Sequence, residues 1–101
     1  MATAQLSIIT PSGKSFEGAI QSVIAPGEQG FLEVLAYHAP LVTKLKKGIV
    51  TLTQDTQKKY FAVGAGVLEV NEEHNILLLC DFAVLAASQN EAQDKLLAAH
   101  A

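Results

Sequence analysis

The chain has 101 residues, enough for one domain and too few for a multidomain catalytic assembly. Seven Lys+Arg against ten Asp+Glu leave a net charge of −3, which argues against a phosphate-binding surface built from clustered basic residues. Half of the residues are apolar and 17% are charged, so a core can be buried and disorder is excluded. Cys80 is the single cysteine, so neither an internal disulfide framework nor a zinc site needing two thiolates is possible.

Targeting signals are not expected. The opening residues carry no basic stretch ahead of a long apolar one. Ile76–Cys80 and Phe82–Ala87, the longest apolar stretches, fall far short of the roughly 20 residues of a membrane-spanning helix. Residence in the cytoplasm or an organelle interior is expected, with membrane association only through a partner.

Residues 5 to 80 show short apolar or alternating runs broken by turn chemistry. Leu6–Thr10 reads as a strand and Pro11-Ser12-Gly13 as a turn. Phe16 to Ala25 is a second run, which Pro26-Gly27 is expected to stop. Ile49–Thr53 alternates, with Ile49, Thr51 and Thr53 on one face and Val50 and Leu52 on the other. Gln54–Lys58 reads as a polar hairpin loop into Tyr60–Val63. Gly64-Ala65-Gly66 turns the chain into Val67–Val70, Asn71–Asn75 is a second polar loop, and Ile76–Cys80 reads as a buried strand. Runs this short leave no room for crossover helices. The pattern predicts a mostly β fold, a two-sheet antiparallel β-sandwich over residues 1–85, with a short C-terminal helix in 86–101.

That helix has its own signature. In Ser88-Gln89-Asn90-Glu91 the Ser88 hydroxyl is expected to accept from the Glu91 amide while the Glu91 carboxylate reaches back to the Ser88 amide. Ala92, Leu96 and Ala99 follow at helical spacing with Leu97 beside them, predicting one apolar face over about twelve residues.

Residues suited to chemistry are sparse. His38, His74 and His100 lack metal-ligand spacing, and His74 between Glu73 and Asn75 reads as part of a solvated turn. Cys80 ends an apolar run and reads as a buried small hydrophobe. Gly64-Ala65-Gly66 is not a phosphate loop, because no Gly-Lys-Ser/Thr follows. The cluster Lys44, Lys46 and Lys47 reads as a solvated edge. No catalytic, cofactor or metal residue is assigned. Two stiff apolar segments do stand out: Ala25-Pro26-Gly27-Glu28-Gln29-Gly30, and His38-Ala39-Pro40-Leu41-Val42-Thr43. Exposed Pro, Phe31 and Tyr37 there would suit docking, since little entropy is lost on binding. Two ordinary sandwich connections would look the same.

The same block resembles a known family. Ala25-Pro26-Gly27-x-x-Gly30, then His38-Ala39-Pro40-Leu41-x-Thr43-x-Leu45-x-x-Gly48, is similar to the epsilon subunit of F-type ATP synthases, the homologue of the mitochondrial delta subunit. Leu6-x-Ile8-Ile9-Thr10-Pro11-x-Gly13 with Phe16-x-Gly18, Phe61-Ala62-Val63-x-x-Gly66-Val67-Leu68-Glu69-Val70 and Asn75-x-x-Leu78-Leu79-x-Asp81 match in order, from about residue 5 to residue 94. The resemblance implies a non-catalytic rotor subunit of the central stalk that couples ion flow to ATP synthesis on other chains. It would sit peripherally, on the cytoplasmic face of a bacterial inner membrane or the organelle equivalent. It implies a gamma-subunit contact at Thr10, His38, Ala39, Pro40, Leu41 and Thr43. The implied c-ring contact is at Glu28, Gln29, Gly30 and Phe31.

Departures qualify what carries over. Many relatives have Gly and Pro where this chain has Glu33 and Ala36, so the loop between Gly30 and His38 is expected to differ in shape. Asn90 and Gln93 stand where an ATP-binding signature would have Asp and Arg, so no ATP binding and no cofactor are expected. The inhibitory C-terminal hairpin of longer relatives is likewise expected to be absent. A sandwich adaptor or carbohydrate-binding module is the competing interpretation, weakened by the absence of Trp. A small hydrolase using Cys80 or His38 is the other.

Overall fold

A computed structural model describes residues 2–99, so His100 lies outside the described residues. Ten strands and one helix follow in order: β1 Ala4–Thr10, β2 Gly13–Ile20, β3 Ser22–Gly27, β4 Gly30–Leu35, β5 Leu41–Leu45, β6 Gly48–Gln54, β7 Gln57–Val63, β8 Gly66–Val70, β9 Ile76–Cys80, β10 Ala83–Ala86 and α1 Gln89–Ala99. Pairing runs β10-β7-β6-β3-β5-β8-β9-β1-β2, with β4 on β3. Between β3 and β5 the path narrows to one pair, Gly27 with Leu45. On either side lie two sheets, β10-β7-β6-β3-β4 and β5-β8-β9-β1-β2. Their inner faces share one core: Val23, Ala25, Val34, Val50, Leu52, Phe61 and Val63 from the first meet Leu6, Ile8, Leu45, Leu68, Val70, Ile76 and Leu78 from the second. This is the expected sandwich.

Four local expectations are corrected. The run from Phe16 to Ala25 is two strands, because buried positions go from Ile20 to Val23, a step of three that period-two alternation forbids. At that break Gln21 donates its N–H to Thr53 O (2.8 Å) and the chain crosses to the other sheet. Pro26 and Gly27 are the last two residues of β3 rather than a stop placed after Ala25. Pro26 needs no donor there, since its carbonyl accepts from Lys46 N (2.9 Å) on the side away from β4. The polar loop Gln54–Lys58 shrinks to Asp55-Thr56, with Asp55 at φ 54°, which Asp tolerates better than most residues. Finally, not every pair is antiparallel: β1 runs parallel to β9, from Leu6 with Ile76 to Ile9 with Leu79. The β8–β9 hairpin sets the direction of β9, and nearly the whole domain intervenes, so no short crossover is required. Residues 30–35, 41–45 and 83–86, for which no element was expected, are strands β4, β5 and β10.

Helix α1 packs on the outer face of the first sheet, against β6, β7 and β10. Ala92 is fully buried and Leu96 nearly so, as the spacing predicts, but Leu97 is exposed. Five residues beyond Ala92 is about 140° further round the helix, so Leu97 leaves the packed face. Glu91 N donates to Ser88 Oγ (3.1 Å), the first half of the expected cap. The Glu91 carboxylate instead accepts from Ala87 N (2.9 Å), one residue before the expected amide. Replacing Ser88 with Ala should cost about 1 kcal/mol in urea unfolding.

Gly66 marks the tightest approach in the second sheet, since a Cβ there would collide with the Leu79 carbonyl and come 2.8 Å from Cys80 Cα. Gly66→Ala should destabilise the domain by about 2–3 kcal/mol, read as a lower urea midpoint. An unchanged midpoint would mean that β8 and β9 can separate without penalty.

Candidate functional site

Two stiff segments flank one open side of the sandwich. The Glu28-Gln29 turn is closed by the Gly27–Gly30 pair, with Gly30 at φ 134°, a value that side chains rarely adopt. Glu28 N donates to Lys44 O (3.0 Å), which ties the turn to β5. Glu28, Gln29, Gly30 and Phe31 are all exposed. A groove of about 460 Å³ opens between β4 and β5, lined by this turn, Phe31 and Leu32 on one side and by Leu41–Lys44 on the other. The residues assigned to the c-ring therefore share a groove with Leu41 and Thr43.

The loop from Ala36 to Pro40 joins β4 to β5. His38 N donates to Leu35 O (3.2 Å), making a turn with Tyr37 at φ 66°, in the left-handed region where glycine is favoured. Tyr37 is held there by an edge contact with the His74 ring (centroids 5.6 Å apart, planes at 83°). His74 is itself at φ 65° and half-buried, and its Nδ1–H donates to the His38 carbonyl (3.0 Å). This corrects the expectation of a solvated turn: His74 staples the β8–β9 loop to the β4–β5 loop. The His38 ring folds onto its own chain, with Nδ1 2.7 Å from the Ala39 carbonyl, and Ala39 and Pro40 are exposed.

Thr10 does not join this group. It is 8% exposed, and its hydroxyl serves the β1–β2 turn, donating to Gly13 O (3.3 Å) and accepting from Ser12 N (3.1 Å). Across the sheet Leu41 is level with Val70, Ile76 and Leu6, whereas Thr10 lies four residues further along β1, about 13 Å away. Thr43 is half-buried, and the residues of β5 that face outward are Val42 (70% exposed) and Lys44.

The outward register exposes a feature missed in the sequence. Lys44 pairs with Val67, Val67 with Leu79 and Leu79 with Ile9, and the next row holds Val42, Glu69 and Leu77. Directly paired residues share a face, so Ile9, Val42, Val67, Leu77 and Leu79 form an apolar stripe on the outer face of the second sheet. Helix α1 covers the other sheet and leaves this one open. The signal was in Ile76–Cys80, apolar on both faces, as in strands covered on both sides.

Cys80 behaves as the sequence suggests. It is buried, and burial, with the Asp81 carboxylate adding, pushes its thiol up to about 11. It sits level with Gly66, at the end of the sheet opposite His38, so the two do not form a nucleophile–base pair. Among the described residues no three His, Cys, Asp or Glu side chains gather as a metal site requires. No described helix is long and apolar enough to cross a membrane.

What the fold leaves open is an uncovered sheet face, a groove and two stiff turns. The family model for the ATP synthase delta/epsilon chain β-sandwich domain matches residues 3–86. The ATP synthase epsilon chain of Helicobacter acinonychis (strain Sheeba) is 32% identical over 94 residues, covering 93% of this chain and 76% of that one. The epsilon chain of Helicobacter pylori (strain HPAG1) gives the same values. A chain of the Euglena gracilis mitochondrial ATP synthase OSCP/F1/c-ring structure superposes with a TM-score of 0.80 at 20% identity, over 98% of this chain and 64% of that one. One from the Tetrahymena thermophila mitochondrial ATP synthase central stalk/c-ring superposes at 0.69 and 12% identity, over 80% and 65%. The chain thus spans a little under two thirds of the length of each of those two matched chains. It belongs to the ATP synthase delta/epsilon family.

The Cys80 thiol holds its proton more tightly folded than unfolded, so its share of stability is complete below pH 9 and is lost as pH rises towards 11. Replacing Cys80 with Ala should flatten the fall in urea midpoint over that interval. At pH 8 the native thiol should react with Ellman's reagent about a hundredfold more slowly than in urea. Fast native labelling would show that β9 opens freely.

Proposed function

We propose that this chain is a non-catalytic central-stalk subunit of an F-type ATP synthase. It docks on the gamma subunit and the c-ring and helps couple ion translocation to ATP synthesis on other chains. The observation that carries the proposal is the apolar face of Ile9, Val42, Val67, Leu77 and Leu79, left uncovered by the chain's own helix. Exposed apolar surface of this kind marks a protein contact. Gamma engages that face together with His38, Ala39, Pro40, Leu41 and Thr43 beside it. Thr10 contributes by shaping the β1–β2 turn rather than by direct contact.

The c-ring engages the turn of Glu28, Gln29, Gly30 and Phe31. Its exposed carboxylate favours polar or basic ring loops and fixes register more than affinity. No ATP is bound, because Asn90 and Gln93 on α1 offer no charged partner to a phosphate. The subunit is peripheral to the energy-transducing membrane, reaching it only through the ring, on the cytoplasmic side of a bacterial inner membrane.

Co-elution with the cognate gamma subunit on a sizing column tests the reading. Val42→Glu with Leu79→Glu alters exposed positions and should leave the fold intact by circular dichroism while weakening the complex about tenfold or more. Glu28→Lys should leave gamma binding unchanged and weaken attachment to the ring. If the wild-type chain fails to co-elute with gamma, a sandwich adaptor becomes the better description.

A further inference from the structure

Strand β4 is the margin of the first sheet and pairs with β3 alone. Because Pro26 has no N–H and its carbonyl is turned to Lys46, the Pro26–Phe31 pair carries no ladder hydrogen bonds. By alternation, Gly30, Leu32 and Val34 bond to β3, and the N–H and C=O groups of Phe31 and Glu33 point away from the sheet. The side chains at alternate positions, Phe31 (68% exposed), Glu33 and Leu35 (54% exposed), stand open on one face. On the other side the groove between β4 and β5 runs along the same edge, lined by Leu32, Leu41 and Thr43. Proteins commonly blunt an open edge with lysine, proline or a bulge. In β4 the one charged residue is Glu33, midway between Phe31 and Leu35.

We propose that the β4 edge takes up an extended segment of another protein as an added antiparallel strand along Phe31–Leu35. That segment carries Lys or Arg opposite Glu33 and apolar residues two positions to either side. Backbone bonds to Phe31 and Glu33 supply affinity, and side chains set the choice of partner. Opposite charges directly across a strand pair attract and like charges repel. The same rule argues against a second copy of this chain: the register that stacks Phe31 on Leu35 of its copy sets Glu33 against Glu33. The inference goes beyond the docking described above: that docking shares the Phe31 side chain and the groove residues Leu41 and Thr43 with this edge, but leaves the backbone groups of Phe31 and Glu33 unused.

The test uses the whole chain and two synthetic peptides, Ser-Thr-Val-Thr-Lys-Thr-Val-Thr-Ser and its counterpart with Glu at the centre. The lysine peptide should bind and slow hydrogen exchange at the Phe31 and Glu33 amides about tenfold. The glutamate peptide should bind about fivefold more weakly, and Glu33→Lys should reverse that order. Equal affinity for the two peptides, or binding that leaves those two amides exchanging as before, would overturn the proposal. So would no binding at millimolar peptide. Protection of the same amides by self-association, without peptide, would assign the edge to a second copy instead.

Discussion

The corner where β3 meets β5 is the constraint on which the rest depends. Gly27 pairs with Leu45, the Pro26 carbonyl takes the Lys46 N–H, and the Glu28 N–H reaches the Lys44 carbonyl. These few bonds lie where the chain leaves one sheet and enters the other, between Leu45 and Gly48. They fix how far the sheets splay, and so the width of the groove between β4 and β5. Pro26 suits the position because its carbonyl is needed and its missing donor is not.

Much of the architecture was legible because burial imposes a period of two. Val50 and Leu52 point inward and Ile49, Thr51 and Thr53 outward, as the alternation requires. The break at Gln21 was also present in the sequence, as the step from Ile20 to Val23, but small residues on both sides concealed it. Short strands such as β4 and β5 escaped because their alternation is mixed with turn residues: Pro26, Gly30 and Pro40 punctuate them, and punctuation reads as loop. The parallel pairing of β1 with β9 is a long-range fact that no local pattern encodes.

The two stiff segments were legible in the sequence, whereas their spatial relations were not. That Leu41 and Thr43 face the same groove as Glu28–Phe31 depends on how two sheets stack. That Thr10 lies at the other end depends on the register of β1 against β9. His74 looked like a residue of an acidic, solvated loop. Its role as a staple requires the His38 carbonyl, 36 positions away in sequence, to arrive at its Nδ1. Val42, Leu77 and Leu79 were hidden for a different reason: an apolar residue beside an apolar residue looks like core until the facing side is known to be empty.

The parallel pairing has a consequence for the order in which the subunit comes into being. During synthesis β1 emerges first and can pair at once with β2, but its other edge waits for β9, which begins at Ile76. The apolar stripe draws Ile9 from the first strand and Leu79 from the ninth, so no fragment that ends before β9 displays it. A partner that reads this face therefore meets only chains whose translation has passed the ninth strand. The face thus reports that the first and ninth strands have met, while β10 and α1 still follow in the chain.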